Sequence, residues 1–224
     1  ELAGVRGGGK VLAIGGVDVH AVVEKRLSAF LDRESDAARS WAIRTLLAGR
    51  HRQMSLAIKV EYQSGENAEF TFDLGEGAAP AALLTHRTEP SGVEYIRIEN
   101  SLGNRDLVAA FDNVMDGIID AKTLVLDLTH TPSGGDSDIA RGVMGRFTPE
   151  AMPYQRHEFI ERPLGIPRVW VEEVAPRGER AFSGRLVLLV NHWTGSMGEG
   201  LTLGLDTLPN STVVGTMMAG LRGA

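Results

Sequence analysis

Ser196 is the residue whose type and setting most clearly invite chemistry. It stands in Asn191-His192-Trp193-Thr194-Gly195-Ser196-Met197-Gly198-Glu199-Gly200, after the apolar run Arg185 to Val190 and ahead of a helical pattern. A strand that stops at a small-residue turn and restarts as a helix delivers one side chain to the lip of a sheet, where α/β enzymes keep their reactive groups. A hydroxyl there suits nucleophilic attack on a carbonyl carbon. The charge that develops on the carbonyl oxygen needs amide donors, and glycine turns and helix starts supply them. Gly134 and Gly135, just ahead of a second helical pattern, and the amide of Met197 are the candidates for that oxyanion hole. Glu199 lies one helical turn beyond the serine, where it can orient a partner or a water. The nucleophile elbow of α/β-hydrolases, G-x-S-x-G, is excluded because Thr194 occupies its first glycine position.

The nearby residues carry two readings each. His130 and His192 are the histidines within reach of the two loops, and an imidazole suits proton transfer near neutral pH; the plainer role for either is to bond backbone or line a cleft. Trp193 either shapes an apolar substrate pocket or packs the loop. His20, His51, His86 and His157 are scattered and show no H-E-x-x-H spacing, so no zinc site is expected. Asp136-x-Asp138 reads as the acidic first turn of a helix, favoured by its dipole, in preference to a cation site. Gly7-Gly8-Gly9 precedes a strand and lacks a following GK[ST], which makes it a loop and no phosphate cradle. No metal or organic cofactor is expected.

The elements that must position these residues follow from periodicity. Lys10 to Ile14 is a strand, Gly15-Gly16 a turn, and Asp18 opens a helical stretch that runs, with a break near Asp32 to Ser35, to about Leu47. Met54 to Tyr62 and Ala68 to Leu74 form a hairpin around Ser64-Gly65-Glu66-Asn67. Residues 1–75 thus make a small α+β module, 76–82 a linker rich in Gly, Ala and Pro, and 83–224 a second domain. There Val93 to Ile98 is a strand and Asp106 to Ile119 a helix with an apolar face. Thr123 to Leu128 is an apolar strand buried on both faces, so the segment is a βαβ crossover and part of the sheet is parallel. Asp136 to Phe147 is a helix, Tyr154 to Ile160 with Arg168 to Val174 a hairpin insertion, Arg185 to Val190 a buried strand, Met197 to Leu208 a helix and Ser211 to Gly215 a final strand. Thr129 to Gly135 and His192 to Ser196 then leave the carboxyl ends of neighbouring strands, the ligand-binding end of an open α/β sheet.

Composition sets the outer limits. The 224 residues carry a formal charge of -6 with 43% apolar and 23% charged residues. With no cluster of Lys and Arg to neutralise phosphates, a nucleic-acid partner is not expected. No stretch approaches the roughly eighteen apolar residues of a membrane span. The absence of cysteine removes both a thiolate nucleophile and a disulfide framework. Because the chain opens at Glu1 and stops soon after Gly220, it reads as a fragment or processed form.

Taken together, strand-Asp-Leu-x-x-x-x-Gly-Gly-helix, then strand-x-x-x-Thr-small-Ser-x-x-Glu-Gly, then Val-Val-Gly-Thr resembles the serine peptidases of the C-terminal processing and tricorn type, the tail-specific proteases among them. The resemblance covers most of the chain from Lys10 and is strongest over Val93 to Gly135 and Arg185 to Gly220. It implies a crotonase/Clp-like catalytic domain after a degenerate PDZ-like module. It also implies Ser196 as nucleophile, Glu199 as its acidic companion, an oxyanion hole of Gly134 or Gly135 with Met197, and peptide or protein substrates. A homo-oligomer and a periplasmic or secreted location are compatible with it. Two departures matter. Processing peptidases carry a lysine base after the Val-Val-Gly-Thr strand, where this chain has Leu221, and the Arg and Asn of their Asp-Leu-Arg-x-Asn are Thr129 and Thr131 here. The expected enzyme is therefore a tricorn-like, histidine-dependent endopeptidase whose base lies upstream of Glu1. A catalytically silent peptide-binding module is the alternative, and an acyl-CoA enzyme of the crotonase type a third reading that gains nothing from Ser-x-x-Glu.

Overall fold

A computed structural model describes residue 6 and residues 8–31, 55–73, 82–99, 101–132, 134–161 and 165–221. The chain divides into two compact units, Glu1–Ala79 and Pro80–Ala224.

Among the described residues the first unit is a four-stranded antiparallel sheet, ordered β2-β1-β3-β4, with one helix. Its strands are β1 (Lys10–Ile14), β2 (Val17–Asp18), β3 (Ser55–Glu61) and β4 (Asn67–Asp73). The Asp18 carboxylate accepts hydrogen bonds from the His20 and Ala21 amides at 2.9 and 3.2 Å, which is why α1 (Val19–Leu31) starts there. The expected continuation of that helical stretch to Leu47 lies outside the described residues, as does the linker up to Ala81. Leu56, Val60 and Tyr62 are buried in this unit.

The second unit is a five-stranded sheet, ordered β11-β10-β7-β6-β5. Its strands are β5 (Leu84–Thr88), β6 (Glu94–Ile98), β7 (Thr123–Asp127), β10 (Arg185–Val190) and β11 (Ser211–Gly215), and three helices connect them: α2 (Asp106–Ile118), α3 (Ser137–Met144) and α4 (Met197–Asp206). β6, β7, β10 and β11 run parallel, as the βαβ reading requires. β5 adds an antiparallel edge. The sequence pattern does not reveal β5 because Leu84-Thr85-His86-Arg87-Thr88 is polar, the composition of an edge strand with one wet face.

One expectation fails instructively. Leu124 and Leu126 of β7, and Leu186 and Leu188 of β10, are fully buried, but Val125, Val187 and Leu189 between them are only half-buried. These strands are sealed on one face, not two. The strand order supplies the reason: β6, β7, β10 and β11 advance across the sheet in one direction, so right-handed crossovers place every connecting helix on the same face. Onto that face α2 packs Leu107, Phe111, Met115 and Ile118, spaced three or four apart, while α3 adds Ile139 and Val143 and α4 adds Leu201 and Leu205. Each such side chain contributes about 1.5–3 kcal/mol of transfer free energy. Phe147 closes the end of this core between Phe111 and Phe182, with ring centroids 6.1 and 5.9 Å away. β8 (Met152–Glu161) and β9 (Ile166–Val174) form the separate antiparallel hairpin, longer than the sequence pattern indicates.

Candidate active site

Ser196 sits between the end of β10 and the first turn of α4 with φ +51° and ψ -119°. Only it and Ser101, among the described non-glycine residues, hold a positive φ. Backbone strain of this kind persists only where surrounding contacts impose it, and it concentrates at functional sites. The contacts are visible. Thr194, fully buried, donates its hydroxyl to the Leu128 carbonyl at 3.0 Å and accepts the Asn191 amide at 3.1 Å, so the turn is tied to the end of β7. The Gly195 amide donates to the Thr131 carbonyl at 3.1 Å. A side chain at Gly195 would press on the Pro132 carbonyl at 2.9 Å and on the Leu221 methyl at 3.1 Å, which explains the small residue before the serine.

Glu199 is the clamp of this turn. Its carboxylate accepts three backbone amides: Ser196 at 2.8 Å, Gly220 at 3.0 Å and Leu221 at 2.9 Å. An acceptor bonded by three N–H groups fixes the geometry of the turn. It joins the serine to the strand-end segment after β11, where Leu221 lies half-buried against Gly195.

The second loop packs against the first. Gly134, at φ +63°, has its Cα so close to the serine turn that an added Cβ would stand 2.5 Å from Ser196 Cβ and closer still to the Met197 nitrogen. The Gly134 N–H, however, is committed to the Thr131 carbonyl at 3.2 Å. Among the described residues neither the Gly135 nor the Met197 N–H donates to a backbone carbonyl. Of the two, Met197 also lies at a helix N-terminus. The Thr131 hydroxyl, which replaces an amide side chain in the resemblance, donates to the Leu128 carbonyl at 2.7 Å and packs against Gly198.

A third loop, after β6, has no signature in the sequence. Leu102 forms a parallel bridge with Gly135, its amide bonding the Gly134 carbonyl at 2.6 Å and its carbonyl accepting the Asp136 amide at 2.9 Å. Gly135 lies so tightly on Leu102 that an added Cβ would be 2.8 Å from the Leu102 Cα. Ser101, 8% exposed with φ +58°, makes the turn that brings Leu102 there. A Ser-Leu-Gly in a loop carries no periodicity, so only the fold exposes it.

The histidines part company. His130 is exposed and turns to Glu99, with Nδ1 3.2 Å from Oε2. Burial alone would raise the Glu99 carboxyl, but hydrogen bonds from Arg97, Thr85 and His130 together hold it below its ordinary value. His192 is half-buried with its ring 5.1 Å from that of Trp193, on the serine loop itself. Behind the loops, buried Asp127 accepts the Tyr95 hydroxyl and the Thr129 amide; burial, then that carboxylate, raises the Tyr95 phenol. Tyr154 of the hairpin lies over Gly200 and Gly204 of α4, and burial followed by the charge of Glu172 pushes its phenol up to about 12. Asp136 caps α3 by accepting the Asp138 amide at 2.8 Å, so the Asp136-x-Asp138 pair is occupied as a helix start. Among the described residues no group of three or more His, Asp or Glu side chains could hold a metal ion, and no helix is long and apolar enough to cross a membrane.

The fold is shared with solved structures. Mature CPAF in complex with lactacystin matches with a TM-score of 0.61 at 14% identity, over 98% of this chain and 66% of that one. The photosystem II D1 C-terminal processing protease matches with a TM-score of 0.56 at 17% identity, over 98% of this chain and 54% of that one. The chain therefore spans about two thirds or less of the length of these relatives. At such identities the likeness speaks for fold alone. No curated protein sequence matches the chain. The model of peptidase family S41 matches residues 92–224, which include all three loops and all three amide partners of the Glu199 clamp, and the chain belongs to that family.

Proposed function

We propose that the chain is the serine endopeptidase core of a larger enzyme and that it cleaves peptide bonds through an acyl-enzyme at Ser196. The observation that carries this reading is the strained Ser196 turn, held by Glu199 and abutted by the Gly134 loop. In the proposed reaction Ser196 Oγ adds to the scissile carbonyl carbon while its proton passes to a histidine base. The carbonyl oxygen gains the negative charge and accepts hydrogen bonds from the Met197 and Gly135 amides. The C–N bond then breaks, the base returns its proton to the leaving amine, and water repeats the cycle on the ester. Glu199 positions the serine backbone and takes no proton.

Leu221 occupies the place that the lysine base fills in processing peptidases, and its side chain cannot accept a proton. This supports the tricorn-like, histidine-dependent branch, with the base supplied from a segment preceding Glu1 or, failing that, by His192. His130 is the weaker choice because Glu99 already holds it. The one-faced parallel sheet with its site at the ends of β6, β7 and β10 is in keeping with a crotonase/Clp-like domain, and the first unit's antiparallel sheet and helix with a degenerate PDZ-like module.

The test is labelling by a fluorescent fluorophosphonate together with hydrolysis of labelled casein, comparing the full-length protein with Ser196→Ala. Both signals should vanish in the variant. Casein hydrolysis undiminished by Ser196→Ala refutes the proposal. Peptide binding without labelling or turnover in either protein would establish the silent peptide-binding module in its place.

A further inference from the structure

Six large apolar side chains of the β8–β9 hairpin are exposed: Phe159 59%, Ile160 60%, Ile166 57%, Val169 46%, Trp170 42% and Val171 49%. Apart from the hairpin only five such residues are exposed among the described ones. Contiguous exposure on this scale marks an interaction surface. Within its two-stranded sheet β9 pairs with β8 on one side, and among the described residues its other edge is unpaired. An unpaired, apolar strand edge is a template for another strand.

The order of residues along β9 says which strand. Arg168-Val169-Trp170-Val171-Glu172 is self-complementary about Trp170. If a second copy of β9 runs antiparallel beside it with the twofold axis at Trp170, Val169 faces Val171 of the other copy, Trp170 faces Trp170, and Arg168 faces Glu172. Directly opposed residues share a face, so each charge meets its opposite and each valine a valine. Among the described residues Arg168 has no carboxylate partner, its guanidinium lying 5.6 Å from the centre of the Trp170 ring. Glu172 has Arg141 at 3.8 Å and His157 at 3.7 Å, both beyond hydrogen-bonding distance. Pro167, which has no N–H to give, stands just outside the five-residue match and sets its limit.

We propose that β9 is the dimerisation strand of this chain, pairing with β9 of a second copy in an isologous, antiparallel register centred on Trp170. The inference is independent of the proposed peptidase chemistry. Trp170 stacks on His157, its register partner in β8, with centroids 4.9 Å apart.

The chain has no cysteine, so single cysteines report the register cleanly. Opposed Cβ atoms in an antiparallel pair lie about 4.5–5.5 Å apart, near disulfide reach, whereas diagonal neighbours lie about 7–8 Å apart. Under mild oxidation Trp170→Cys should give a covalent dimer. Val169→Cys and Val171→Cys should each stay largely monomeric alone and cross-link when mixed. Sedimentation equilibrium of the unaltered chain should give a dimer, and Val169→Asp combined with Val171→Asp, both at exposed sites, should give a folded monomer with the parent's circular dichroism spectrum. A monomer at all concentrations, cross-linking that ignores the register, or a dimer that survives the paired aspartates would overturn the proposal.

Discussion

Replacing Gly134 by alanine should slow acylation by about a hundredfold while leaving the chain folded. The added methyl would stand 2.5 Å from Ser196 Cβ and 2.8 Å from the Gly195 carbonyl, against the roughly 3.5–4.0 Å at which such atoms attract. About 1 Å must be found, and every neighbour in question belongs to the serine turn. That turn cannot yield freely because Glu199, Thr131 and Thr194 hold it. The strain therefore appears as displacement of Ser196 and of the Met197 amide relative to the substrate. A 1 Å misplacement of reacting groups costs about two decades of rate. The left-handed backbone at φ +63° adds roughly 1–2 kcal/mol against alanine, small beside an ordinary domain stability of about 5–15 kcal/mol. The assay is the rate of fluorophosphonate labelling alongside kcat for casein hydrolysis, with thermal unfolding to confirm the fold. Gly103→Ala is the control, since a Cβ there meets nothing within 4 Å. Equal labelling rates for the two variants would refute the claim that the seating of the Gly134 loop on Ser196 matters to acylation.

Two further outcomes follow from the same geometry. Ser101→Gly should keep near-normal labelling, because glycine accepts φ +58° without penalty, whereas Ser101→Val should lose about 1–2 kcal/mol in denaturant titration and slow labelling through the Leu102–Gly135 bridge; equal behaviour of the two variants would remove Ser101 from the positioning of the site. Tyr154 has its phenol raised from 10.0 to about 12, so the folded state keeps a proton that the unfolded state releases. Its contribution is whole below pH 10 and is lost as pH rises from about 10 towards 12. Tyr154→Phe should flatten that part of the stability profile and, by deleting a buried hydroxyl without a partner, leave stability at neutral pH unchanged or improved.

Much of the site is legible in the amino-acid sequence because its signals are local. A run such as Arg185 to Val190 must be a strand, Met197 to Leu208 repeats at helical spacing, and the serine between them has little choice but the lip of the sheet. Likewise Leu107, Phe111, Met115 and Ile118 declare one face of α2 by their spacing alone. Periodicity carries no information about which face of a sheet the helices cover. The half-buried Val125 and Val187 follow from the order of β6, β7, β10 and β11, a property of the whole sheet. Polar β5 is invisible to periodicity because nothing in Thr85-His86-Arg87 requires burial; pairing to β6 decides it.

Sequence alone thus determined the nucleophile candidate, its glycine loop and the parallel sheet that joins them, since each rests on contacts or patterns a few residues long. Tertiary structure decided how those parts bind to one another. Glu199 has the spacing of an acidic companion that orients a partner or a water, and the fold makes it a clamp on three amides, two of them more than twenty residues away. Gly134 has the setting of an amide donor, yet its N–H is spent within its own turn, and Gly135 is set by Leu102, a residue from another strand's end. A hydrogen bond between distant residues leaves no trace in their spacing, because it depends on where the chain returns and on which donors the local turns have already used.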